Sequence, residues 1–189
     1  MGLCGLQAGG IMATTGQLFP ASGSSVDRGG ATDWVNPGNI TGSDGSDATS
    51  DPTPTDYLLG TTFSAAVPSG AVIDGVTVRV SATESGPGTT DFVAQLISDG
   101  TPTLIGSSKG PTALGSNPHV LGGSSDVWGA TLSDTIVNAS GFGIAIWSTD
   151  ADGDNELQID YVTIEIHYTL GDGYDPSGSP GEGDFFLVL

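Results

Sequence analysis

The sequence is short of positive charge, of cysteine, of glutamate and of long apolar runs. Arg28, Arg79 and Lys109 are the only bases in 189 residues, against 22 acids, and the formal net charge is −19. Binding duplex nucleic acid through its phosphates needs several cations on one face, which three scattered bases cannot provide. The same shortage disfavours an anionic membrane surface. Cys4 stands alone, so no internal disulfide can form. The opening stretch MGLCGLQAGGIMATTGQ has neither the basic start nor the long apolar centre of a signal peptide, and it is far too short to cross a membrane. Of the 22 acids 18 are Asp, a residue that favours turns over helices.

What is present fills the same picture. Charged residues are 13% of the chain, about half the usual share. Gly, Ser, Thr, Asp and Pro take their place, residues of turns and extended segments. The alternation of Val76, Val78 and Val80 with Thr77, Arg79 and Ser81 is that of a half-buried strand. Segments 57–68, 91–98 and 140–148 read as further strands, and Asp99-Gly100 as a hairpin-type turn. The strongest strand is ELQIDYVTIEIHYTL, 156–170. Strict alternation puts Val162, Ile164 and Ile166 on its core face and Leu157, Ile159, Tyr161, Thr163, Glu165 and His167 on the other, with Asp160 at the rim. The Gly/Pro/Ser-rich stretch 109–125 is expected to connect two sheets, and 131–138 offers at most a turn or two of helix. The predicted fold is all-β, an antiparallel jelly-roll-like β-sandwich with terminal arms.

Three parts are expected: an N-terminal arm over 1–30, a sandwich domain over 31–170, and a linker with an apolar anchor over 171–189. Within the domain, the polar run 41–56 reads as an excursion facing solvent or a neighbour. After Leu170 the composition changes sharply to GDGYDPSGSPGEGD, a flexible linker by composition. It is followed by Phe185, Phe186, Leu187, Val188 and Leu189. Five uncharged apolar residues are a hazard if left in water. They are expected to add as a strand to a sheet edge or to fill an apolar groove.

Candidate sites are few. Asp150, Asp152 and Asp154 alternate in an acidic loop and could converge on Ca²⁺, which wants six to eight oxygens. The helix–loop–helix calcium pattern does not fit, since Asn155 stands where Gly is needed and Tyr161 where Glu is needed. A plain polar loop accounts for them as well, so no cofactor is expected apart from such a calcium ion. For catalysis, His119 and His167 are the only histidines, and no serine or cysteine lies in a nucleophile's context. An enzyme is not expected. Trp34, Trp128 and Trp147 could stack on sugars but are more simply aromatics of the sandwich. Trp147, out of phase with Ile144 and Ile146, is the one expected to be exposed or at an interface. The sequons at Asn39 and Asn138 read as accidental.

One resemblance bears on function. In chain order the motifs are Trp34-Val35-Asn36-Pro37, Phe63 followed by Pro68 to Val76, Asp126-Val127-Trp128-Gly129, Phe142-Gly143 and Asp160-Tyr161-Val162. This order resembles a β-sandwich domain found in virion structural proteins (decoration, fibre and tail-tip) of tailed bacteriophages, over about Thr32 to Thr169. The resemblance implies a structural or attachment role in a virion, and with no catalytic constellation visible the expected protein is a non-enzymatic one located in the particle. The expected role is head decoration (cement), as a small homo-oligomer such as a trimer whose arms reach neighbours including the major capsid protein. A tail-fibre or tail-tip component, or a carbohydrate-binding or adhesin module, is the alternative.

Overall fold

The structure, a computed structural model, describes residues 10–29, 31–50, 54–86, 91–115, 117–149 and 156–171. Among these, ten strands run in the order β1 (Ile11–Thr14), β2 (Ser22–Val26), β3 (Ala48–Ser50), β4 (Tyr57–Thr61), β5 (Val72–Ser85), β6 (Asp91–Ile97), β7 (Lys109–Ala113), β8 (His119–Gly122), β9 (Gly143–Trp147) and β10 (Glu156–Leu170). A single helical turn, α1 (Asp134–Val137), precedes β9. One sheet has the order β1-β10-β5-β8, with β3 also paired to β10; the other has the order β2-β4-β9-β6-β7. Every pairing between strands is antiparallel. The chain is therefore the expected all-β sandwich. The stretch 109–125 does connect the sheets: it leaves the second through β7 and enters the first as β8.

The core follows from period-two patterning. Val76, Val78 and Val80 of β5 and Val162, Ile164 and Ile166 of β10 are buried with Leu58, Phe92, Leu96, Ile144 and Ile146 of the second sheet. Each such side chain contributes roughly 1.5–3 kcal/mol on leaving water. Strand β9 can lie close to β4 because Gly143 has no side chain; a Cβ there would strike the carbonyl of Gly60.

Strict alternation fails in β10, and the reason is local. Ile159 pairs with Ala82 and Tyr161 with Ser81, so Asp160 is an extra residue, a β-bulge. The bulge resets the parity of the strand. Leu157 and Ile159 therefore reach the core on one side of it, and Val162, Ile164 and Ile166 on the other. The expectation that Leu157 and Ile159 face outward is corrected. Asp160 is not idle at the rim, because its Oδ1 accepts from the backbone N–H groups of Asp44 and Gly45 at 3.3 and 2.9 Å.

The N-terminal segment also departs from expectation. Much of the supposed arm is sheet: β1 pairs with β10, Ile11 opposite Leu170, and β2 pairs with β4. The run 41–56 is likewise tied down in part. Ala48, Ser50, Thr55 and Asp56 are buried, and β3 pairs with the start of β10. Trp34 is buried too, its indole N–H donating to the Asp56 carbonyl at 2.8 Å. Just beyond, Asn36 takes a positive φ, and Pro37–Ile40 forms a 3₁₀ turn that buries Ile40.

The strand expected over 57–68 ends at Thr61. Thr62, Ser64 and Ala66 then adopt φ of 62°, 53° and 52°, a region costing of order 1 kcal/mol for residues with a side chain. Phe63, Ala65 and Val67 between them are buried, which offsets that strain. Asn138 holds the end of the segment, its amide Oδ1 accepting from Val67 N–H at 2.9 Å and its Nδ2 donating to Val67 O at 2.8 Å.

Candidate functional site

The outer face of the β1-β10-β5-β8 sheet is polar, and most of its side chains engage a neighbouring strand. Thr169 Oγ1 donates to Asp74 at 2.7 Å. Thr77 Oγ1 lies 2.9 Å from His167 Nε2. Glu165 accepts from Thr14 at 3.0 Å and pairs with Arg79 at 3.2 Å. At one end of this face lies a cleft of about 390 Å³, lined by Met12, Thr14, Asp74, Ser124, His167 and Tyr168 among others. Asp74 is the extra residue of a second irregularity, where His167 pairs with Gly75 and Tyr168 with Ile73. Beside the cleft, β1 ends the sheet. Met12 is 82% exposed, Ile11 64% and Val72 63%. Met12 thus gives the cleft an apolar lip beside its polar side chains. Sequence reading missed it because its walls come from segments far apart in the chain.

The other sheet's outer face carries a small apolar cluster of Leu59, Val93, Ile97, Ala145 and Trp147, with Val26, Tyr57 and Leu104 packed on it. Trp147 points outward as the phase of β9 requires, yet it is only 8% exposed. The expectation of an exposed aromatic is corrected. Tyr57 meets it edge-on at 5.1 Å, and the Arg28 guanidinium lies 5.9 Å from its ring centre and 5.8 Å from that of Tyr57. Trp34 and Trp128 are buried as well, so none of the three tryptophans offers an open stacking face.

The Asp126-Val127-Trp128-Gly129 motif is structural. Asp126 accepts from Trp128 N–H at 2.8 Å and from Lys109 Nζ at 2.6 Å, and the lysine holds its carboxyl below the usual range. Trp128 itself has a φ of 59°. His119, expected in a loop, opens β8 and is buried against Phe92, with no hydrogen-bond partner at Nε2. Burial lowers its pKa.

Two carboxyls are pushed the other way. Burial raises the pKa of Asp56, and a side-chain hydrogen bond with Asp33 adds to the shift. Burial also raises that of Asp47, helped by the charges of Asp160 and Glu156. Asp150, Asp152 and Asp154 lie outside the described residues, as do Cys4 and Phe185, Phe186, Leu187, Val188 and Leu189. Among the described residues no cluster of three or more acids, histidines or cysteines is arranged to hold a metal, and no helix is long and apolar enough to cross a membrane.

No protein-family model matches the sequence, and no curated protein matches it. Two solved structures show a weak similarity to it. One is the CBM22-1 xylan-binding domain from Paenibacillus barcinonensis Xyn10C, at 13% identity and a TM-score of 0.39, covering 84% of this chain and 96% of that one. The other is the CBM22-1–GH10 part of Clostridium thermocellum xylanase 10B complexed with xylohexaose, at 13% identity and a TM-score of 0.35. That match covers 85% of this chain and 27% of the xylanase chain.

Proposed function

We propose that this chain is a non-enzymatic structural subunit of a tailed-phage particle, a decoration protein that joins its neighbours through the β1 side of the sandwich. The supporting observation is the state of that edge. Ile11 and Met12 are largely exposed on a strand with no partner on its far side among the described residues. An uncovered apolar edge strand is a ready surface for pairing. The order of motifs from Trp34 to Val162 supports the particle assignment. The test has two arms. Mass spectrometry of purified particles from the source culture is expected to find the chain at a fixed ratio to the major capsid protein. Sedimentation of the full chain is expected to show an oligomer that Met12→Asp weakens. Absence from particles together with a monomer unaffected by Met12→Asp rejects the proposal.

The cleft favours a second reading, a glycan-binding module. Hydroxyls, a carboxylate and an imidazole beside an apolar lip are groups that hold a sugar ring, and the cleft's volume falls within the range of small-ligand sites. Titration with a panel of soluble oligosaccharides decides it: binding abolished by Asp74→Ala supports this reading, and no binding removes it.

A further inference from the structure

We propose that His119 makes β8 an acid-operated latch: to take up a proton its ring must leave the core, and β8 then leaves the sheet with it and bares the edge of β5. That edge lies on the side of the sheet away from β1, so the latch stands apart from the surface proposed for assembly.

The ring sits where a charge cannot stay. His119 opens β8 and pairs with Val80, a core residue of β5, which turns its side chain inward. It is 6% exposed and meets Phe92 of β6 edge-on, with 5.2 Å between ring centres. Nε2 is buried without a hydrogen-bond partner. Burial favours the neutral ring, and the hydrogen bond with the Ala82 backbone, which works the other way, does not offset it.

The described charged side chains on the strands around the ring are turned or engaged elsewhere. Arg79 of β5 alternates with Val80, so it points to the outer face, where it pairs with Glu165 at 3.2 Å. His167 of β10 is on that face too, beside Thr77. Glu84 lies two residues beyond Ala82, half-exposed near the end of β5. Asp91 of β6 precedes Phe92 and so points away from the side that Phe92 occupies. Lys109 of β7 is paired with Asp126. A proton on Nε2 would therefore be a buried charge with no partner, and such a group either stays neutral or moves to water.

Strand β8 is the element that yields. It has four residues and pairs with β5 alone, whereas β5 and β10 each have neighbours on both sides. A short edge strand opens at lower cost than strands paired twice. Its next residue, Val120, is already 58% exposed. Once β8 has moved, the backbone of β5 from Thr77 to Val80 loses its partners on that side, and Phe92 loses the ring that covers it. Acid thus presents an unpaired sheet edge with an apolar flank, a surface ready to pair with another chain.

The closed form binds the proton less readily than the open one, so acid favours opening. Above about pH 6.5 the open population is independent of this group, and below it the population grows by up to about tenfold per pH unit.

The experiment is hydrogen exchange of the full chain between pH 7.5 and 5, corrected for the intrinsic effect of pH on each amide. Protection of the slowest amide among residues 119–122 is expected to fall roughly thirtyfold. Residues 11–14, at the β1 edge, open without moving His119 and are expected to change by less than about threefold. At pH 5 the centres of β5 and β10 are expected to remain at least about a hundredfold better protected than β8, which marks the opening as local. His119→Gln and His119→Phe, one polar and one apolar, are each expected to flatten the response of β8. A pH-independent β8, the same fall in both variants, or β8 and the strand centres exchanging at one common rate in acid would each overturn the latch.

Discussion

The indole N–H of Trp128 donates to the carbonyl of Val76 in β5 at 2.8 Å. The contact is possible because Gly122 lies between them. A Cβ at that position would strike both the Val76 carbonyl and the indole, and its φ of 72° suits glycine. Trp128→Ala is expected to cost about 3–5 kcal/mol, as for a large buried aromatic. Gly122→Ala is expected to destabilise by more than the roughly 1 kcal/mol of an average substitution, because it forces the tryptophan out of place. Urea unfolding followed by tryptophan fluorescence measures both; a loss under about 1 kcal/mol for Trp128→Ala would contradict its place in the core.

The bulge at Asp160 gives a sharper test. Deleting Asp160 restores strict alternation and turns either Leu157 and Ile159 or the Val162–Ile166 face toward solvent. The deleted chain is expected not to fold cooperatively. Asp160→Ala keeps the extra residue and removes only the acceptor of the Asp44 and Gly45 N–H groups. It is expected to cost about 0.5–1.5 kcal/mol, read by the same unfolding curves.

Asn138 acts as a strand partner for Val67 from a side chain. Asn138→Ala removes both hydrogen bonds and is expected to cost about 1–3 kcal/mol. Exchange of the Val67 amide should quicken before that of the β5 and β10 centres, because the strained segment from Thr62 to Ala66 is released first.

Acid is expected to act on stability in two opposed ways. The buried His119 has a lowered pKa in the folded chain, so the unfolded chain binds the proton first. Stability from this group is full above about 6.5 and is lost as pH falls through that value toward the lowered one. Asp56 and Asp47 have raised pKa values. Their contribution is full below about 3.9 and is lost as pH rises through the raised values. His119→Gln should remove the loss that begins near pH 6.5. Asp56→Asn should flatten the rise in stability seen on further acidification. Melting temperatures of the three chains between pH 4 and 8 check both signs.

Much of the sandwich was legible because its strongest strands alternate. Strand β10 has the limits its sequence predicts, 156 to 170, and the core side of β5 is that of its three valines. What the pattern hid has physical causes. A bulge leaves no mark in composition, so the side taken by Leu157 and Ile159 could not be read. The strands IMAT and SGSSV have no apolar alternation, since each lies at a sheet edge and is held by backbone pairing. The phase of β9 does turn Trp147 outward, but its cover comes from Tyr57 and Arg28, distant in sequence. The cleft depends on Met12, Asp74, Ser124 and His167 meeting, and no local spacing announces that.

The pairing of two strands far apart in the chain has a kinetic side. Thr14 and Glu165 are 151 residues apart and in contact, and β1 lies on the last strand of the sandwich. Closing so long a loop is slow. During synthesis β1 cannot pair until β10 has emerged, so it waits unpaired while the strands between them are made. A nascent chain of this design is exposed to neighbours on the same message for that interval. The absence of charge before Asp27 leaves nothing in that stretch to keep the waiting strands apart.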